Sequence, residues 1–125
     1  MSVLTDKVGR FIFAIPFAIF GIFHFINGSA MAGMVPSFIP GGLFWVYLTG
    51  AAHLAASISF IIEKKAHLAG LLLALMLVIF ALTIHLPGAM GGEDPAAMTN
   101  FLKDIALAGG ALILADRYSS DSDVG

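Results

Sequence analysis

"YLTGAAHLAASISFII" runs from Tyr47 to Ile62. Thr49, His53 and Ser57 recur in it at four-residue steps, so a helix would carry all three on one face. A hydroxyl, an imidazole and a second hydroxyl along one face of an apolar stretch mean different things in water and in lipid. The solvent around this segment therefore decides the fold.

Composition identifies that solvent. The chain has 125 residues, 59% of them hydrophobic and 11% charged, with a mean hydropathy of +0.98. A soluble domain carries about 25% charged residues. A chain this short leaves much of its surface exposed and cannot hide so many apolar side chains from water. The expected fold is an all-α, integral membrane four-helix bundle, one transmembrane domain over residues 1–125. Its spans are expected at about 10–27, 43–62, 67–87 and 99–115, close to the roughly 20 apolar residues a bilayer requires. Residues 116–125 read as a polar cytoplasmic tail. The lipid bilayer is then the main partner. A net charge of −2 gives no reason to expect nucleic acid. There is no cysteine, which excludes disulfides and a thiol relay within the chain.

Charge sets the expected orientation. Lys7, Arg10, Lys64, Lys65 and Arg117 flank one side of the spans, and Lys103 stands alone on the other. The positive-inside rule makes the first side cytoplasmic, with both termini there. The basic start and apolar run of the N-terminus resemble a signal peptide. No small-x-small site leads into a polar domain, so the segment reads as a retained helix.

The tight "EKKAH" turn makes spans two and three antiparallel neighbours. The outer loops are longer. In the first, Met31, Met34, Val35 and Phe38 have helical spacing, while Pro36 and Pro40 forbid one continuous helix. A short broken interfacial helix between spans 1 and 2 fits, as does an irregular apolar cap over the bundle. Pro16 is expected to kink the first span. In the fourth, Ala106 and Gly110 form a small-xxx-small pair suited to close helix contact. Lys103 and Asp104 fall at its end, within reach of headgroups.

On this topology His67 lies at the cytoplasmic edge, solvated or snorkelling. His24, His53 and His85 lie in the outer half, on three different spans. His53 is about 15 Å into the second span. Polar side chains in membrane spans face the bundle interior or a cavity. The candidate ligand-binding set is His24, Asn27, Thr49, His53, Ser57 and His85, lining an outward-facing polar pocket walled by spans one to three. Thr49 and Ser57 would support His53. A neutral imidazole can hydrogen-bond a quinone carbonyl, pass a proton or bind a metal. The alternative for His53 is an interhelical hydrogen bond of about 0.6–2 kcal/mol. Phe17, Phe20, Phe23, Phe25, Phe38, Phe44, Trp45 and Tyr47 offer a flat apolar lining toward the same end, although Trp45 and Tyr47 also suit the membrane interface. No catalytic or metal-ligating set stands out.

The stretches "GIFHFINGSA", "VPSFIPGG", "WVYLTG" and the basic turn "EKK", followed by a long apolar span, together resemble the DoxX family of small four-helix bacterial membrane proteins. The similarity covers roughly residues 9–88. Family members commonly carry an acid where this chain has His53. The resemblance implies a bacterial plasma (inner) membrane location and association with other membrane or redox subunits, as in thiosulfate:quinone oxidoreductase. The leading expectation is an accessory subunit of a membrane redox or respiratory system, not a complete enzyme on its own, holding a quinone-like or lipid-like molecule. A purely structural or assembly subunit is the alternative. Copper handling through Met31, Met34, Met90 and Met98 is a third reading. Glu63, Glu93 and Asp94 all fall outside the spans, so no embedded acid is expected and proton-coupled cation export is disfavoured.

Overall fold

The structure is a computed structural model that describes residues 2–92 and 94–119. It is all-helical, with no strand among the described residues. Helix α1 spans Leu4–Ile26, the one-turn α2 spans Gly28–Met31, α3 spans Gly42–Ile62, α4 spans Ala66–Gly91 and α5 spans Ala97–Arg117. The four long helices are long and apolar enough to cross a membrane. In each, only 22% to 33% of the most apolar window is buried within the chain. The rest turns side chains such as Leu72, Leu75, Ile79 and Ile113 outward. That surface is tolerable only against hydrocarbon, so this is a multi-pass membrane protein.

Local chemistry sets the helix ends. Helix α1 begins on a π-helical turn, Leu4–Val8, several residues before the apolar run. Ser2 Oγ accepts the Thr5 N–H at 3.2 Å and satisfies one of the free donors of that first turn. Helix α1 then continues through Pro16 without a break. Helix α3 ends at Glu63 and α4 is preceded by Lys65, both in the left-handed region with φ of 60° and 57°. This conformation usually selects glycine. Helix α4 passes its expected end at Pro87 and reaches Gly91. A π-helical turn at Ala81–His85 precedes the proline and loosens the ladder where its N–H is missing. The α1–α3 connection contains α2 and a 3-10 turn at Ala32–Met34, a short broken helical segment. Asp116 and Arg117, expected in the tail, extend α5; residues 120–125 of the tail, like Glu93, lie outside the described residues.

The helices pack as two pairs, α1 with α3 and α4 with α5. Glycine permits both contacts. A Cβ on Gly21 would lie 2.7 Å from Gly50 O, and one on Gly70 would lie 2.7 Å from Ala115 Cβ. The small-residue face of α5 is thus Ala108, Ala111 and Ala115, all buried, and not the Ala106–Gly110 pair. Ala106 is exposed, and Gly110 faces the Phe13 ring of α1. Small side chains gain here by letting backbones approach, which in lipid replaces the absent hydrophobic drive.

The pairs join over a core that includes Phe17, Phe60, Leu73, Leu77 and Ala111. The start of α1 and the end of α5 meet at one end of the bundle, where Arg117 pairs with Asp6. Buried Arg10 donates from Nη1 to the Phe60 and Ile61 carbonyls at 2.7 and 2.9 Å, and its Nη2 is 3.5 Å from Glu63. Tyr118 donates to the other Glu63 oxygen at 2.8 Å. His67 is not a loose surface residue: its Nδ1–H donates to Ala115 O at 2.8 Å and ties α4 to α5.

Candidate functional site

Toward the opposite end the two helix pairs leave a cavity of about 520 Å³ between them. All four long helices wall it, together with Met31, Met34, Val35, Pro36 and Ile39 of the α1–α3 connection. The expected three-helix wall is therefore incomplete. Helix α5 supplies Asn100, Lys103, Asp104 and Leu107.

The histidines of α1 and α3 converge here. The rings of His24 and His53 are 5.1 Å apart between centroids. Phe17 stacks on His53 at 5.7 Å, and Phe20 meets it edge-on at 6.2 Å. The convergence follows from the glycines, because a Cβ on Gly50 would lie 2.8 Å from His24 Cβ. Each imidazole is held by its own helix. His24 Nδ1 donates to Phe20 O at 2.6 Å, and His53 Nδ1 donates to Thr49 O at 2.9 Å. Thr49 thus orients His53 through its carbonyl, while its side chain also lines the cavity.

His85 lines the cavity from α4, and its Nε2 is 3.1 Å from Asp104 Oδ2 on α5. The sequence places Asp104 at the headgroup level and no acid within the spans. That placement is corrected. Helix α5 starts at Ala97, which puts Asp104 about 10 Å along it, and the side chain is buried. The His85 ring on the neighbouring helix is its polar partner there.

Of the six expected residues, the cavity brings together His24, Thr49, His53 and His85. Asn27 is exposed at the end of α1, and Ser57 is fully buried in the core, so neither lines it. Ser57 Oγ has no hydrogen-bond partner among the described residues and does not support His53. Among the expected aromatics, Phe17, Phe20 and Trp45 reach the cavity. Phe38 and Phe44 are 80% and 61% exposed, and Phe25 stacks on Tyr47 at 5.4 Å away from it. Trp45 does more than anchor an interface: its Nε1–H donates to Pro40 O at 2.8 Å and holds the connection to α3. Sequence reasoning missed Asp104, Asn100 and Lys103. A signal was available, since Asn100, Asp104, Ala108, Ala111 and Ala115 follow three- and four-residue steps down one helical face.

The arrangement offers polar atoms to a small molecule inside an apolar shell. No group of three or more histidine or acidic side chains is placed to hold a metal ion among the described residues. The family described as Domain of unknown function (DUF8561) matches residues 13–103, most of the chain. The chain belongs to that family. The DUF8561 match takes in the cavity walls from α1, α3 and α4 and stops one residue short of Asp104. No curated protein and no solved structure matches the chain.

Proposed function

We infer that this DUF8561 protein is a DoxX-like accessory subunit of a redox or respiratory system in a bacterial plasma membrane. Its role there is to hold a quinone-like or lipid-like molecule in the cavity between its helix pairs. Both termini, and the Arg10–Glu63–Tyr118 end, face the cytoplasm in this reading. The distribution of basic residues supports it, with five of six at that end.

One observation carries the reading: two imidazoles from separate membrane helices converge on a single aromatic-walled cavity. Its volume of about 520 Å³ suits a ring and the first part of a tail. Phe17, Phe20, His24 and His53 flank the ring position, and the Thr49 side chain lines the same cavity. A quinone titration tests the reading. Decylbenzoquinone should raise the melting temperature of the detergent-purified chain, and His53→Ala, which removes the ring stacked on Phe17, should lose most of that rise. An equal rise in both proteins removes His53 from the site.

The embedded Asp104 favours a second reading, proton-coupled movement of a cation, which the sequence disfavoured for want of such an acid. Proteoliposomes driven by a pH gradient would then accumulate a lipophilic cation, and Asp104→Asn would abolish it. Equal uptake in the variant excludes this reading.

A further inference from the structure

The hydrogen bonds around the cavity determine which partner it prefers. A carbonyl can only accept, so the bonds from His24 Nδ1 to Phe20 O and from His53 Nδ1 to Thr49 O place a proton on each Nδ1. In a neutral imidazole the other nitrogen is then an acceptor. Neither Nε2 has a hydrogen-bond partner among the described residues. Both rings line the cavity, and His53 is 4% exposed.

Several donors of the same walls are already spent within the chain. Trp45 Nε1–H goes to Pro40 O and the Thr83 hydroxyl to Ile79 O at 2.7 Å, while His85 Nε2 is engaged with Asp104 Oδ2 at 3.1 Å. The donors left are the Thr49 hydroxyl and, on the first turns of α5, Asn100 and Lys103. The aromatic corner formed by Phe17, Phe20, His24 and His53 thus carries two acceptor nitrogens on residues that line the cavity. A ring bearing carbonyls meets them lone pair to lone pair. A ring bearing hydroxyls donates to them.

We propose that the cavity selects the reduced, dihydroxy form of its ring, a hydroquinone, over the corresponding quinone, with a hydroxyl donating to Nε2 of His53 or His24. This rests on the reading that the cavity takes a quinone-class ring, and adds which redox form it holds.

The test is calorimetric titration of the full chain in detergent, under argon. Three probes are used: decylhydroquinone, decylbenzoquinone and the dimethyl ether of decylhydroquinone. The hydroquinone should bind about tenfold tighter than the other two, the difference of one well-placed hydrogen bond kept or lost. His53→Phe keeps an aromatic ring beside Phe17 and removes Nε2. It should bring the hydroquinone down to the affinity of the quinone while leaving quinone binding in place. His24→Phe provides the same comparison if His53→Phe does not fold. Equal affinities for hydroquinone and quinone, or a tighter quinone, overturn the selectivity and leave the quinone site standing. Failure of all three probes to bind overturns both.

Discussion

Gly21 and Gly50 bring the backbones of α1 and α3 into contact, and that contact sets His24 beside His53. The missing side chains are necessary: a methyl on Gly21 would lie 2.7 Å from Gly50 O, and one on Gly50 would lie 2.8 Å from His24 Cβ. Gly50→Ala should push the helices apart and cost about 1–3 kcal/mol, as overpacking does. Gly109→Ala is the control, because nothing lies within 4 Å of a Cβ there. It should be neutral or stabilise α5 by up to about 1 kcal/mol. Denaturation in one detergent, run on both variants, separates the two.

Asp104 and His85 form the polar link between α4 and α5 beside the cavity. Asp104→Ala leaves His85 without its acceptor inside the bundle and should destabilise by about 3 kcal/mol. Asp104→Asn keeps an oxygen for the Nε2–H and should cost clearly less. Thermal melts that rank the two variants equally would show that the pair contributes little to packing.

Tyr118 gives a pH-dependent signature at the opposite end. Burial, and then its hydrogen bond to Glu63, push the phenol up from 10.0 to about 12. The folded protein thus holds this proton more tightly than the unfolded chain. The resulting stabilisation is fully present below pH 10 and is lost as pH rises toward 12. Tyr118→Phe should be less stable than wild type at neutral pH, and its stability should fall less between those values. Parallel stability curves for the two proteins across that range would contradict the assignment.

The chain has no cysteine, so single cysteines report topology cleanly. Ser119→Cys lies at the end where Asp6 meets Arg117, and Met90→Cys, at a position 79% exposed, lies at the other. In intact bacterial cells a charged, impermeant maleimide should label Met90→Cys and spare Ser119→Cys until the membrane is opened. The reverse pattern would invert the orientation of the cavity.

Much of the fold was legible without coordinates. The four spans and the tight turn at Glu63–Lys65 follow from apolar runs and the basic residues between them. Their edges moved where local chemistry intervened. Ser2 caps an earlier start for α1, and the π-helical turn before Pro87 carries α4 to Gly91. The candidate site was legible only in part. His24, Thr49, His53 and His85 were marked by polarity within apolar spans. Ser57 carries the same mark yet belongs to the core, because periodicity names a face without saying what that face meets.

From the sequence alone, transfer to lipid is a sum over about 20 consecutive residues, and it determined a four-span membrane protein with its polar ends together. That sum is local and needs no knowledge of neighbours. Which imidazoles meet depends on how each helix is rotated and how closely its backbone is admitted, and glycines on two different helices decide that jointly. The embedded carboxylate and the distribution of spent donors and free acceptors around the cavity are likewise properties of contacts between helices. Only the tertiary structure could supply them.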